Sequence, residues 1–198
     1  MLLLSIQTVS AANILIMGDS ISAGYGLELD QGWVALLQKK MTKMGYDYNL
    51  VNASISGETS GGGIMRIGRE IETHQPVVVI IELGANDGLR GASPKVMESN
   101  LSEMIDQASK AGAEVILLGI RIPPNYGKRY TDAFYNVYTR LAKIHKVSFV
   151  PFLLDGIGGN KALMQPDGLH PNADAQPKIR DTIWEFLKPV LRKSSKAM

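Results

Sequence analysis

Val77-Val78-Val79-Ile80-Ile81 is the stretch of this sequence that decides the fold. A strand that is apolar on both of its faces is typical of the centre of a parallel sheet with helices packed above and below it. Similar short apolar runs recur along the chain, and together they predict five strands. The runs cover residues 14–17, 48–51, 77–83, 115–120 and 148–152.

The segments between these runs carry helical patterns. Ser93 and Pro94 predict the start of one helix, because serine caps helix N-termini and proline is favoured at the first helical position. Apolar residues follow at helical spacing, and Gly112 is placed to end that helix. Five strands alternating with helices predict a three-layer α/β domain, which we assign to residues 13–192.

Size and composition exclude several classes of protein. The chain has 198 residues, enough for one domain with its own core, and it contains no cysteine. Thiol chemistry, disulfides and cysteine-bound zinc are therefore excluded. The net charge is +2 and no basic stretch is interleaved with aromatic residues, so nucleic acid is a poor candidate partner. We expect no metal and no cofactor, and a solvated tail over residues 193–198.

The N-terminal residues 1–12 resemble part of a signal peptide. A short apolar run precedes small residues that suit a signal peptidase, although no basic residue comes first. We predict either a signal remnant cleaved near Ala12, and hence a periplasmic or secreted protein, or an extension without targeting value. No apolar run reaches the roughly 18 residues that span a bilayer, so no stable membrane anchor is expected.

Polar residues follow the predicted strands at the points where the strands end. Gly18-Asp19-Ser20 follows the first strand, residues 52–59 follow the second, and residues 84–88 follow the third. The fourth strand leads into residues 121–127, and the fifth leads into a long loop that ends at His170. The carboxyl ends of parallel strands share one edge of the sheet, where open α/β sheets bind ligands. We therefore expect these loops to converge.

Ser20, Asp167 and His170 are the candidate catalytic residues. Serine is a weak nucleophile until a base removes its proton, and His170 lies on the same predicted edge as Ser20. The Asp167 carboxylate would accept the imidazole N–H, fix its tautomer and stabilise the imidazolium. His74 precedes the third strand and His145 lies at a charged helix end, so we expect both to be solvated surface residues.

An acyl-transfer site also needs hydrogen-bond donors for the developing oxyanion. The candidates are the backbone N–H of Ser20, the backbone N–H of Gly57 and the side-chain amide of Asn86. Gly57 has no side chain to hinder close approach. Taken alone, Gly57 and residues 86–88 would be interpreted as turns. Their positions after consecutive strands, beside Ser20, favour a role in the site.

Four ordered motifs resemble those of the SGNH (GDSL-type) hydrolase family, whose signature residues are serine, glycine, asparagine and histidine. The corresponding residues are Ser20 in Gly-Asp-Ser, Gly57, Asn86 in Gly-Ala-Asn-Asp and His170 in Asp-Gly-Leu-His. Within the family, three segments resemble the bacterial acyl-CoA thioesterase I, lysophospholipase and arylesterase subgroup: 51–57, 82–91 and 174–177. The resemblance covers nearly the whole chain. It implies a flavodoxin-like fold with strand order 2-1-3-4-5.

Two features depart from the family pattern. Ile21 stands where the family has leucine after the serine, a volume-conserving change that should leave the chemistry intact. Gly61-Gly62-Gly63 opens the helix that follows Gly57, and each glycine costs about 1 kcal/mol of helix propensity relative to alanine. We therefore expect a mobile or late-starting helix next to the candidate oxyanion glycine.

Leu89, Ile122 and Pro123 are the candidate substrate-binding residues, because they are apolar and flank the predicted site. They could line an acyl groove, and ordinary loop packing would explain them equally well.

The sequence thus predicts a serine hydrolase that cleaves carboxylic esters and thioesters through a covalent acyl-enzyme. The resemblance implies acyl-CoA, aryl ester or lysophospholipid substrates. One alternative keeps the same triad and cleaves acetylated carbohydrate. Another is a non-catalytic flavodoxin-like module that binds a nucleotide or an anion, which the absence of a Gly-x-Gly-x-x-Gly motif and of a P-loop disfavours. Acyl chain length and oligomeric state, monomer or dimer, stay open.

Overall fold

A single five-stranded sheet organises the protein. The computed structural model describes residues 11–197, with side chains described through residue 191. The remaining positions, including most of the predicted signal remnant, lie outside the described residues. All strand pairs are parallel, and the strands are β1 (Ala12–Gly18), β2 (Tyr48–Asn52), β3 (Val78–Glu82), β4 (Glu114–Leu118) and β5 (Ser148–Val150). Their order is β2-β1-β3-β4-β5, which confirms the predicted topology.

Helices cover both faces of this sheet. They are α1 (Ser20–Ala23), α2 (Trp33–Lys43), α3 (Ser60–His74), α4 (Ala85–Leu89), α5 (Pro94–Lys110), α6 (Lys128–His145) and α7 (Gln176–Ala197). One face packs against α2 and α7, and the other packs against α3, α5 and α6. The predicted three-layer α/β architecture is therefore confirmed.

The hydrophobic core forms two layers, one on each face of the sheet, because side chains alternate between the two faces along each strand. In β1, Ile14 and Ile16 belong to the layer with α2 and α7, while Leu15 and Met17 belong to the other layer. Successive side chains of a strand point to opposite faces, so a strand covered on both sides must be apolar throughout. Strand β3 lies in the middle of the sheet and all of its residues are buried, as predicted, including the acidic residue at its end, Glu82.

The two ends of the predicted domain differ from expectation by a few residues. Ala12 is the first residue of β1 and pairs with Tyr48 across the sheet, so β1 begins inside the predicted N-terminal extension. Helix α7 runs to Ala197, so the backbone of residues 193–197 continues the helix rather than forming a separate tail. In the part of the chain that the structure describes, no helix has both the length and the apolar character needed to cross a bilayer.

The helix with three consecutive glycines was expected to be mobile or to start late, and the late start is wrong. Helix α3 begins at Ser60, ahead of the glycines, and Thr59 caps it by accepting the N–H of Gly62 at 3.3 Å. Close packing explains why glycine is used. A Cβ on Gly63 would lie 2.5 Å from Cδ1 of Leu83, just beyond the end of β3. The contact between helix backbone and sheet offsets the low helix propensity of glycine.

Candidate active site

The structure brings together the three predicted catalytic residues. Ser20 is the first residue of α1, immediately after β1, and His170 comes from the loop that precedes α7. The Nε2 atom of His170 lies 2.8 Å from Oγ of Ser20, although 150 residues separate them in sequence. The Nδ1 atom of His170 lies 2.6 Å from Oδ2 of Asp167. Hydroxyl, imidazole and carboxylate therefore form one continuous chain of hydrogen bonds.

Asp167 is held as an anion that fixes the imidazole. Its Oδ1 atom accepts the backbone N–H groups of Leu169 at 2.8 Å and of His170 at 3.0 Å. The bond to the imidazole and these backbone bonds lower the pKa of Asp167 to about 2. An ionised Asp167 accepts a hydrogen bond from the N–H at Nδ1, which leaves Nε2 without a hydrogen and able to accept from Ser20. That tautomer is the one a general base requires.

Two residues that the sequence did not indicate hold His170 in place. The ring of Tyr25 packs on the imidazole with the ring centroids 4.6 Å apart. Gln165 donates its backbone N–H to the carbonyl of His170 at 2.8 Å, and its side-chain amide donates to the carbonyl of Tyr25 at 2.8 Å. The loop that carries the base is thus tied to the segment that follows the nucleophile.

The predicted oxyanion donor Asn86 lines the same cavity as Ser20, and its amide contacts the segment that carries Gly57. The Nδ2 atom of Asn86 donates to Oδ2 of Asp19 at 3.2 Å and to the carbonyl of Glu58 at 2.9 Å. This amide therefore joins the residue before Ser20 to the residue after Gly57. Within the described chain, the backbone N–H groups of Ser20 and Gly57 donate to no other protein group, so they can bind an incoming oxygen.

Backbone geometry and one arginine shape the Gly57 loop. Gly57 has φ of +81°, in the left-handed region where glycine is favoured. Its carbonyl accepts a hydrogen bond from the guanidinium of Arg90 at 3.0 Å. Arg90, which follows α4, therefore fixes the orientation of the Gly57 carbonyl. The sequence predicted the glycine but gave no role to the arginine.

A buried serine–aspartate pair connects the Gly57 loop to α4. Ser60 donates to the Asp87 carboxylate through its backbone N–H at 2.8 Å and through its hydroxyl at 2.6 Å. The side-chain amide of Asn100 donates to the same hydroxyl at 3.0 Å. Asp87 is the neighbour of Asn86, so this pair fixes the position of α3 relative to the candidate oxyanion amide. Sequence reasoning placed residues 86–88 beside the site but gave the Asp87 carboxylate no role of its own.

Two fully buried carboxyl groups lie directly behind the nucleophile. Oε2 of Glu82 accepts the backbone N–H of Asp19 at 3.2 Å and the hydroxyl of Ser22 at 2.8 Å. Burial raises the pKa of Asp19 to about 6 and raises the pKa of Glu82 well above its ordinary value. Sequence reasoning missed Glu82 as a site residue. The available signal was an acidic residue directly after the most apolar stretch of the chain.

A largely apolar cavity of about 160 Å³ opens beside Ser20, Asn86 and His170. The three predicted substrate-binding residues all line it, and its remaining wall includes apolar residues from the ends of β4 and β5. The apolar lining includes Leu89, Ile120, Ile122, Pro123, Phe152 and Leu154. The fourth and fifth strands were predicted to run to Ile120 and Phe152, but they end at Leu118 and Val150. The apolar side chains of Ile120 and Phe152 line this cavity after the strands have ended.

The other two histidines are not the solvated surface residues that we expected. Nε2 of His145 lies 2.8 Å from Oγ of Ser102, and its Nδ1 lies 3.3 Å from Oδ1 of Asp106. Packing of α6 on α5 leaves the His145 side chain 14% exposed. His74 is half-buried, with Nε2 3.5 Å from Oε2 of Glu70.

The Ser102 arrangement resembles a triad but lies inside a helix. Ser102 is in the middle of α5, where backbone N–H groups are used by the helix itself, so it has no free donor for an oxyanion. Ser20 differs because it begins a helix, where the backbone N–H groups have no intrahelical partner. Among the residues that the structure describes, no group of three or more His, Asp or Glu side chains could hold a metal ion.

An activated serine with adjacent N–H donors and an apolar cavity defines a serine hydrolase, here built on a three-layer α/β fold. The chain belongs to the GDSL-like lipase/acylhydrolase family, whose model matches residues 16–176. It is 50% identical over 190 residues to esterase TesA of Pseudomonas aeruginosa, covering 96% of this chain and 94% of that protein. It is 42% identical over 195 residues to thioesterase 1/protease 1/lysophospholipase L1 of Escherichia coli K12, covering 98% and 92%.

A solved structure shows the same fold. The psychrotrophic esterase EstA from Pseudoalteromonas sp., in a structure described as inhibited by monoethylphosphonate, matches this chain with a TM-score of 0.87. The two sequences are 46% identical, and the match covers 91% of this chain and 98% of EstA. The family and its esterase and thioesterase relatives agree with the resemblance deduced from the four motifs.

Proposed function

We propose that this protein hydrolyses carboxylic esters and thioesters of short to medium acyl chains through a covalent acyl-enzyme on Ser20. The observation that carries the proposal is the chain of hydrogen bonds from Ser20 through His170 to Asp167, with links of 2.8 and 2.6 Å. The backbone N–H of Ser20, next to the hydroxyl at the start of this chain of hydrogen bonds, donates to no other group within the described residues. Family membership and the names of the relatives support the same reaction class.

The geometry supports a two-step reaction. Oγ of Ser20 attacks the acyl carbonyl carbon while Nε2 of His170 takes the hydroxyl proton, and the N–H donors bind the oxyanion that forms. The tetrahedral intermediate then breaks its bond to the alcohol or thiol, which leaves with the proton from His170. A water molecule, deprotonated by the same imidazole, attacks the acyl-enzyme, and collapse of the second intermediate frees the acid and restores Ser20.

The size of the cavity supports an acyl group of moderate length. An apolar cavity of about 150 Å³ can hold benzene, so the 160 Å³ here suits about six carbon atoms. Pockets that bind drug-sized ligands are larger, at roughly 300–1,000 Å³. An acetyl group would leave most of this apolar wall uncovered, which disfavours the carbohydrate acetylesterase alternative. A binding module would not need the aligned base and carboxylate.

Labelling with a fluorophosphonate, followed by peptide mapping, tests the nucleophile. We expect label on Ser20 and none in the Ser20→Ala variant, because only an activated hydroxyl attacks the phosphorus. Ser102 supplies an internal control, since its hydroxyl also contacts a histidine but has no free N–H donor beside it. Label on Ser102 with Ser20 unmodified, or no label on folded protein, would contradict the proposal.

A chain-length series tests the acyl preference. With p-nitrophenyl esters from acetate to dodecanoate, kcat/KM should be highest between butanoate and octanoate and lower at both ends. Enlarging a wall residue, in Leu89→Trp, should move the optimum to shorter chains, while the exposed Leu29→Trp serves as a control that leaves it unchanged. Faster hydrolysis of an acetylated sugar than of every aryl ester would favour the alternative.

Partners and localisation remain part of the proposal. The substrate is a small acyl ester or thioester, and the apolar N-terminal run followed by small residues supports export to the periplasm or the medium. N-terminal sequencing of protein recovered from a periplasmic extract would show whether the chain is cleaved near Ala12. An intact Met1 in the exported protein would exclude that cleavage.

A further inference from the structure

Glu82 occupies an unusual position for a carboxyl group. It is the last residue of the central strand β3, where it pairs with Gly18 of the neighbouring strand β1. None of its surface is exposed. Burying a charge without a compensating cation is costly, and neither Glu82 nor Asp19 forms an ion pair with a described lysine or arginine. The residue must therefore be stabilised in another way.

Hydrogen bonding indicates that Glu82 carries a proton. Its Oε2 atom accepts from Asp19 and Ser22, whereas Oε1 has no partner donor among the described residues. The carboxyl groups of Glu82 and Asp19 are themselves in hydrogen-bond contact. Two carboxylates in such contact, buried together, do not both ionise, because one proton between them removes the repulsion.

The surroundings place the remaining negative charge on Asp19. Oδ1 of Asp19 accepts the backbone N–H of Ile21 at 3.1 Å, and Oδ2 accepts the Asn86 amide at 3.2 Å. His170 also attracts this charge, whereas Glu82 is repelled by Asp19. The other ionisable groups that face the pair are Asp87 of α4 and the Tyr138 hydroxyl of α6, which donates to the carbonyl of Leu83 at 2.9 Å.

We infer that Glu82 is a positioning residue of the active site, acting as a neutral acid that donates its proton to Asp19 and so holds the loop that carries Ser20. The inference rests on the proposed function. Asp19 then performs two tasks with one carboxylate. It caps α1 at the nucleophile, and it fixes the amide of Asn86 beside the developing oxyanion. Its charge also favours the imidazolium that His170 becomes during each half-reaction.

Two substitutions separate this role from simple core packing. In Glu82→Gln, the side-chain amide can donate to Asp19 while its oxygen still accepts from Ser22, so it reproduces the neutral acid. Glu82→Leu keeps a similar volume but removes every hydrogen bond. We expect kcat on a p-nitrophenyl ester to stay within about threefold of wild type for Glu82→Gln and to fall about 10- to 100-fold for Glu82→Leu, with KM changed less than about threefold.

The pH profile supplies a readout that packing alone would not change. Without the donor on residue 82, the Asp19 carboxylate loses a hydrogen bond to its charged form, so it should take up a proton at higher pH. The acid limb of kcat/KM should therefore shift to higher pH in Glu82→Leu and stay in place in Glu82→Gln. Equal losses of kcat in both variants would show that an ionised Glu82 is required. Wild-type kinetics in Glu82→Leu would show that Glu82 does not position the active site.

A spectroscopic test does not depend on activity. Infrared difference spectra of wild type against Glu82→Gln at pH 7 should contain the C=O band of a protonated carboxyl group, which is absent from the variant. The comparison can be repeated in the Ser20→Ala background, so it remains valid even if the proposed hydrolysis is wrong or Glu82→Leu does not fold. A carboxylate band in place of the protonated band would overturn the inference.

Discussion

Asn86 illustrates how much of this site depends on single side chains. Its amide nitrogen has two hydrogens, and in this structure both are given to protein groups, Asp19 and Glu58. The longer of these bonds, 3.2 Å to Asp19, is the one that an oxyanion can most readily share. A more negative oxygen in the transition state would compete better for that hydrogen than the ground-state carbonyl does.

Replacing Asn86 by alanine should therefore affect kcat more than KM. We expect Asn86→Ala to lower kcat by about 10²–10³, because an oxyanion-hole donor acts mainly in the transition state. Steady-state kinetics on one p-nitrophenyl ester would measure this. Asn49→Ala is the matched control, since Asn49 is an exposed residue of β2, and it should leave kcat unchanged. An unchanged kcat in Asn86→Ala would remove this amide from the oxyanion hole.

At the scale of single residues, the sequence identified the groups that chemistry requires but not the groups that hold them. Ser20, Asp167 and His170 could be predicted because a nucleophile, a base and an acid have recognisable types and lie after strands. Asp87 and Tyr25 could not, because their roles come from contacts through space with residues far away in the chain. The acidic residue after the apolar run at 77–81 was a signal for Glu82, but it did not reveal the partners of that carboxyl group. His145 was misjudged for the same reason, since its burial depends on the packing of α5 against α6.

At the scale of secondary-structure elements, α3 depends on close packing to offset the low helix propensity of its glycines. Gly63 faces Leu83 and Met104, where a Cβ would lie 2.5 Å from Leu83 and 3.1 Å from the sulfur of Met104. Gly61 is different, since a Cβ there would meet its nearest neighbour, Thr59, at 3.5 Å, an ordinary contact distance. The two glycines of one helix thus have different environments.

Alanine substitutions at these two glycines should have opposite effects on stability. We expect Gly61→Ala to raise the free energy of unfolding by up to about 1 kcal/mol, because alanine is the better helix former. Gly63→Ala should lower it by about 1–3 kcal/mol, because the added methyl group forces Leu83 or the helix to move. Urea denaturation of the two variants would measure the difference. Equal stabilisation by both would show that α3 does not pack as tightly as described.

The three layers could be predicted from the residues themselves, because short apolar runs separated by amphipathic segments form a repeating pattern. The strand order was implied by the family resemblance of the four motifs. The ends of the strands and helices could not be predicted. Ile120 and Phe152 are apolar because they line the cavity, so a pattern of hydrophobicity cannot distinguish them from strand residues. The start of α3 was also missed, since the first residue of the helix, Ser60, bonds to Asp87 of α4, a contact that the local sequence does not reveal.

For the molecule as a whole, the buried Asp19 links stability to pH. Its pKa is raised to about 6 in the folded state, mainly by burial, from an ordinary value of 3.8. The folded protein therefore binds this proton more tightly than the unfolded chain does. The resulting stabilisation is fully present below about pH 4 and is lost as the pH rises through about 6.

Asp19→Asn should remove this dependence, because asparagine does not titrate. Relative to wild type, the variant should gain free energy of unfolding between pH 4 and pH 7, by up to about 3 kcal/mol for a pKa shift of this size. Urea denaturation at both pH values gives the comparison, and Asp132→Asn, at an exposed ion pair with Lys128, controls for the loss of a surface charge. A difference that stays constant between the two pH values would contradict the assignment.

The distance along the chain between Ser20 and His170 has a consequence for biosynthesis. During translation, Ser20 leaves the ribosome 150 residues before His170, which follows all five strands of the sheet. Until that last loop emerges, the nascent polypeptide carries an ordinary alcohol rather than a nucleophile. On the proposed mechanism, translation products that stop before His170 therefore lack the base that Ser20 needs, and hydrolysis requires the chain through that last loop.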